Sequence, residues 1–280
     1  MHSPLFGRAL VSSGFAVGGG VLALSQASAE RLCRAASELA ERRSCGSIEL
    51  RGGSFPADWQ AVTGKHCGFV AELATDDTAQ LLAIPRKHRA EVRKSLDADL
   101  TVTVGTTDAE CAAHYAVYAE SVRNLGTPVF PRALFDAVLD GFVADADILV
   151  VRHRGSPVAS VLSLYHEGAV MPYWGGGTRA ARALRANERM YFELMLHARG
   201  RGCAQFDFGR SKTGSGPWHY KKNWGFEAQP LTYASWTAPG SAPRNIDPAS
   251  DSYSARIEAW KRLPLALANR LGPPIARGLA

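Results

Sequence analysis

The stretch that decides the reading of this chain is Phe206-Asp207-Phe208-Gly209-Arg210-Ser211-Lys212, followed closely by Trp218-His219-Tyr220-Lys221-Lys222-Asn223-Trp224-Gly225-Phe226. A short apolar strand thus runs into glycine and cations, and a compact aromatic segment rich in lysine comes after it. Strand alternation sends Asp207 away from Phe206 and Phe208, so with both rings in a core the carboxylate faces another surface near the strand end. Strand ends are where open α/β sheets place ligands. Arg210 and Lys221 are then cationic donors for a phosphate or a developing oxyanion, with Asp207 orienting one of them. A second reading of Asp207 stands beside this one: a buried carboxylate paired with arginine that ties a loop to the sheet. Lys221, set between aromatics, reads as functional.

Working outward, Ile148–Val151, Val158–Tyr165 and Ala169–Trp174 are strand-like runs joined by Arg154-Gly155-Ser156-Pro157 and Glu167-Gly168, a three-stranded meander. The glycine triplet Gly175–Gly177 leads to a helix expected from Asn187 to Arg199. Ala204–Phe208 and Leu231–Trp236 are the remaining strands of this half. Tyr173-Trp174-Gly175-Gly176-Gly177 ends a strand in backbone that can approach a ligand closely, or else forms a plain flexible loop. Asn187 is expected as an N-cap at a helix start that favours anions. Tyr191 shares a helical face with Leu194, Met195 and Ala198 and is expected in the core.

Upstream, Ala29–Arg43 carries helical periodicity, Ser47–Leu50 and Cys67–Leu73 read as strands, and Pro85 opens a basic helix reaching Leu96. Its charges suit a solvated face better than a nucleic-acid grip. Strand alternation over Leu100–Val104, a helix from Asp108 to Leu125 and another from Pro131 to Phe142 complete the first half. Arg8, the apolar run Ala9–Leu24 and Ala27-Ser28-Ala29 imitate a secretory signal, but the same residues also read as a buried strand, a Gly18–Gly20 loop and a helix beginning near Ser28. Pro239–Ser252 reads as a linker. A basic amphipathic tail follows from Ser254 to Leu271; it either packs on the body or lies on an anionic membrane surface.

The 280 residues are 46% hydrophobic and 21% charged, with a net charge of +6. Disorder along the whole length is excluded, and the charge favours anionic partners weakly. Five scattered cysteines without a CxxC pair argue against a disulfide framework or zinc finger. The eight histidines show no HxxxH or HExxH, so no metal is expected. No serine stands in a GxSxG context, and neither glycine cluster has the spacing of a nucleotide-binding fingerprint.

Taken together, the two opening motifs resemble the C-terminal domain of FemAB-like acyltransferases, most closely those associated with PEP-CTERM/exosortase systems. Ile84–Arg89, Tyr118–Pro128, Pro172–Thr178, Asn187–Met195, Pro4–Arg8 and Trp260–Pro274 support the resemblance. It implies an α/β (α+β) architecture of tandem acetyltransferase-like (GNAT) domains that transfer an acyl or aminoacyl group to an amine. A lysine in the family's Phe-Lys-x-x-Phe-Gly pattern lies at its catalytic centre, and Tyr220-Lys221-Lys222-Asn223-Trp224-Gly225 puts Lys221 there. Asp207 is expected to assist it, with Arg210, Tyr173, Trp174, Gly175, Gly176, Asn187, Tyr220, Lys222 and Trp224 around the substrate.

The family's Pro-Leu-Phe-Gly-Arg segment begins here at Pro4, so residues 1–105 are expected to be a truncated first domain. Residues 106–238 would form the second domain, and 239–280 the linker and tail. The resemblance also favours an internal strand over a signal peptide at Ala9, and hence a cytoplasmic protein with peripheral contact at the inner membrane face. It implies no tightly bound cofactor, an acyl donor (acyl-CoA or aminoacyl-tRNA) as cosubstrate, an amine-bearing envelope precursor as acceptor, tRNA as partner where aminoacyl transfer applies, and no DNA. A different class of function is a non-catalytic envelope-biogenesis protein that binds a polysaccharide or lipid-linked precursor.

Overall fold

The computed structural model describes residues 2–3, 7–14, 16–241 and 251–278. Three two-residue strands, β1 (His2–Ser3), β2 (Gly7–Arg8) and β3 (Leu10–Val11), precede α1 (Gln26–Arg42), β4 (Ser47–Leu50) and β5 (Gln60–Glu72). Then come α2 (Asp77–Ala83), α3 (Arg86–Leu96), β6 (Thr101–Gly105), α4 (Asp108–Leu125) and α5 (Arg132–Phe142). The meander β7 (Ala146–His153), β8 (Ser156–His166) and β9 (Ala169–Gly177) is followed by α6 (Ala181–Leu184) and α7 (Ala186–Gly200). The last elements are β10 (Gln205–Lys212), α8 (Gly216–Asn223), β11 (Gln229–Thr237), α9 (Asp251–Lys261) and α10 (Leu265–Ala276).

Nine strands form one mixed sheet in the order β3-β4-β11-β5-β10-β9-β8-β7-β6. β5, from the first half of the chain, lies between β10 and β11 of the second, and is antiparallel to both. The sheet therefore runs without a break across the boundary at residue 105. One core fills the face carrying α3, α7 and α8 and includes Phe69, Phe206, Phe208, Met190 and Trp224. A second packs α4 and α5 on the other face around Phe135, Ile148, Leu162 and Trp174. A smaller one joins α1 to β4 and β11 through Cys33, Ile48 and Ala234.

Several boundaries differ from the sequence reading, each for a local reason. α1 starts at Gln26, because the Ser25 side chain caps the Ser28 amide. β5 begins at Gln60, well before Cys67: its first four residues are all exposed while pairing with β11, which leaves no alternating apolar signal. The glycine triplet is the end of β9 itself, paired with Ala159, Ser160 and Val161. Asn187 is not the cap of α7. The cap is Arg185, left-handed at φ 54°, and its guanidinium pairs with Glu91. The tail is two helices broken at Pro264 rather than one, and α10 continues through Pro273 and Pro274. Of the expected linker, residues 242–250 lie outside the described residues, as do Pro4, Leu5 and Phe6.

Candidate functional site

β9 and β10 are parallel neighbours, and they pair only at Ala169↔Gln205 and Val170↔Phe206. Beyond that point the two strands have no ladder between them. Each is irregular where they part: β9 shifts register against β8 at Pro172–Trp174, and β10 shifts against β5 between Asp207 and Arg210. Gly209, inside the second irregularity, has φ +67°, a left-handed conformation that glycine adopts without strain. The backbone groups of β10 from Asp207 onward are thereby freed on the side facing β9.

Lys221 meets one of them. α8 starts at Ser215, whose side chain caps the Trp218 amide, and its helical turns carry Lys221 inward over β10 and β5. The side chain is 9% exposed, and Nζ donates to the Arg210 carbonyl at 3.0 Å. The ammonium stands 5.3 Å from the centre of the Phe69 ring and 5.4 Å from that of Phe208. Burial pushes its pKa down to about 8, with Arg210 adding to the fall and Asp207 opposing it. An ammonium has three donors, and the Arg210 carbonyl takes one.

The other expected site residues divide. Asp207 orients neither cation by a hydrogen bond; its Oδ1 accepts the Gly209 amide at 2.9 Å and so braces the irregular turn, while its charge favours the Lys221 ammonium. The Arg210 guanidinium donates to the Tyr233 hydroxyl. The Tyr173 hydroxyl accepts the Val17 amide at 3.0 Å, which brings the Gly18–Gly20 loop against the parted strands. Trp174 and Trp224 are buried core residues, and Lys222 Nζ lies outside over the Trp218 ring at 4.8 Å. Side chains at Gly175, Gly176 and Gly177 would run into Val161, Ser121 and the Asn187–Ala181 pair respectively, so packing accounts for the triplet.

Two groups that the sequence reading did not single out belong to the surroundings. Glu188, in the first turn of α7, has its pKa raised by burial and lies against the Tyr220 hydroxyl. His88, 9% exposed, meets Tyr220 and Trp224 edge-on, and its Nε2 has no hydrogen-bond partner. A lone glutamate and a histidine within a basic helix carry no local pattern, so only their convergence identifies them. Among the described residues no group of three His, Cys, Asp or Glu could hold a metal ion, and no helix is long and apolar enough to cross a membrane.

Residues 85–222 match the family model of an acetyltransferase (GNAT) domain. No curated protein matches the chain in sequence. Among solved structures, FemX superimposes with a TM-score of 0.57 at 13% identity, over 72% of this chain and 75% of that one. L-PGS from Bacillus licheniformis gives 0.53 at 13%, over 76% and 74%. The C-terminal domain of a protein described as a lysylphosphatidylglycerol synthetase from Agrobacterium fabrum gives 0.54 at 14%, over 73% and 72%. At these identities the likeness is one of fold.

Proposed function

We propose, from the acetyltransferase (GNAT) domain at residues 85–222, that this chain transfers an acyl or aminoacyl group to an amine at the gap between β9 and β10. The observation that carries the reading is Lys221: a buried ammonium, bonded to a strand carbonyl beside that gap, with two donors left over. The acceptor nitrogen bonds to the carbonyl carbon of the donor, and the carbonyl oxygen takes up negative charge. Lys221 stabilises that oxygen as the charge develops, where exclusion of water makes the interaction strong. The intermediate then collapses, the bond to the carrier breaks, and the amine proton leaves with the carrier. Asp207 holds the Gly209 turn that presents the Arg210 carbonyl, and Arg210 binds an anionic group of a substrate.

Residues 106–238, together with β5 and β6, would carry this chemistry, with residues 1–105 as the flanking unit. The names FemX and lysylphosphatidylglycerol synthetase favour an acceptor of the cell envelope. The motif resemblance favours an exopolysaccharide setting of the PEP-CTERM/exosortase kind, in the cytoplasm or at the inner membrane face. Mass spectrometry of reactions offered acyl-CoA and aminoacyl-tRNA separately identifies the donor. Lys221→Ala is expected to abolish product with either donor while circular dichroism stays native; full turnover by the variant refutes the assignment.

A further inference from the structure

Arg210 serves both faces of the sheet. Its carbonyl takes the Lys221 ammonium on the face filled by Phe69 and Phe208, whereas its guanidinium donates to the Tyr233 hydroxyl of β11 and lies 5.6 Å from the centre of that ring. His66 stands three residues before Phe69 on β5, so alternation points it away from the Phe69 face. It stacks on Tyr233 with 5.0 Å between ring centres and 13° between planes. Three strands thus bring a guanidinium, a phenol and an imidazole together on the side opposite the Lys221 ammonium.

This set is incomplete as it stands. Asp207, the carboxylate nearest Arg210 in sequence, is turned to the Gly209 amide, and among the described residues no carboxylate forms an ion pair with Arg210. His66 Nδ1 is buried and without a hydrogen-bond partner. An unmatched buried nitrogen beside an uncompensated guanidinium is costly unless something binds there. The charged groups facing the imidazole are Arg210 from β10, Lys65 from β5, Arg51 just after β4, and Glu49 of β4. Glu49 is held by Arg51 at 2.8 Å, so the Arg210 guanidinium leaves the balance positive. With burial, it pushes the His66 pKa down to about 4.

We infer that Arg210, Tyr233 and His66 form a receptor for a phosphoryl group. A carboxylate is saturated by the guanidinium fork alone, whereas a phosphoryl group offers a further oxygen to a second donor on another strand. Tyr233 fixes the fork, and His66 takes up a proton to meet the third oxygen. In calling this group part of the acceptor the inference rests on the acyl-transfer reading; the binding itself does not.

The test is titration of the full chain with inorganic pyrophosphate, followed by calorimetry and by the His66 ring signals, which are assigned by their loss in His66→Gln. Saturable binding that raises the His66 pKa is expected. Arg210→Ala should weaken it tenfold or more and Tyr233→Phe by about threefold, both with native circular dichroism. Arg210→Lys, which keeps the charge without the fork, should fall between wild type and Arg210→Ala. Acetate should give no saturable shift. Competition by glucose 1-phosphate or by phosphatidylglycerol vesicles tells a water-borne from a lipid-borne source. Unmoved His66 signals, undiminished binding by Arg210→Ala, equal binding of acetate, or competition by neither compound overturns the inference. Lys221→Ala that keeps transferring refutes the catalytic role of Lys221 and leaves this titration standing.

Discussion

Lys221 shows how a single side chain can cost stability while being placed for the proposed chemistry. Lowering its pKa from 10.5 to about 8 costs the folded state on the order of 3 kcal/mol at neutral pH. The folded value lies below the unfolded one, so the cost is full below about pH 8 and fades as pH rises to 10.5. Stability should therefore climb across that window in urea melts, whereas in Lys221→Met it should not. At pH 7 the methionine variant should be more stable than wild type by about 1 to 3 kcal/mol and catalytically dead. Transfer by the wild type should decline as pH rises through about 8 and the ammonium empties, read from a kcat–pH profile. Asp147 is the opposite case. Only 4% exposed, it accepts Tyr165 Oη and His197 Nε2 at 2.8 Å and Arg201 Nη1 at 2.9 Å, so its bonds are filled. Asp147→Ala should cost roughly 3 kcal/mol in denaturant unfolding without touching the Lys221 site. The role proposed for Lys221 could be read from the motif around it. That proposed for His66 could not, because its partners come from strands far apart in sequence.

At the scale of elements, β9 and β10 open the candidate site by failing to pair beyond Val170 and Phe206. The glycines at the end of β9 are needed because α4 and α7 pack directly on that strand. Gly176→Ala would drive a methyl group into Ser121, and a loss of about 1 to 3 kcal/mol is expected in thermal melts. If the triplet instead served only a bound ligand, the melt would not change. Helices and strands with strong periodicity, such as α5 and the meander, were legible in outline. The first half of β5 was not, since its residues follow neither apolar alternation nor a continuous run. The start of α7 was misplaced because Arg185, held by Glu91 of α3, sets the cap in place of Asn187.

Across the whole molecule, the two halves are joined by β5 within one sheet, and the tail is part of the body. Leu265 packs in the α4–α5 core, Arg123 donates to the Lys261 carbonyl, and Ile257 lies against Gly126 at the end of α4. Deleting residues 251–280 should therefore lower the melting temperature by several degrees; an unchanged melt would mean that the tail contributes nothing to the fold. The sequence alone determined the mixed α/β class, the order of most elements, and the lysine on which the proposed chemistry turns, because periodicity, caps and short motifs are local. Only the tertiary structure decided that a strand from the first half completes the second, that β9 and β10 part where Lys221 arrives, and that Arg210 faces His66 and Tyr233. Those features depend on which distant strands lie side by side, and strand pairing is settled by burial across the entire sheet rather than by any one segment.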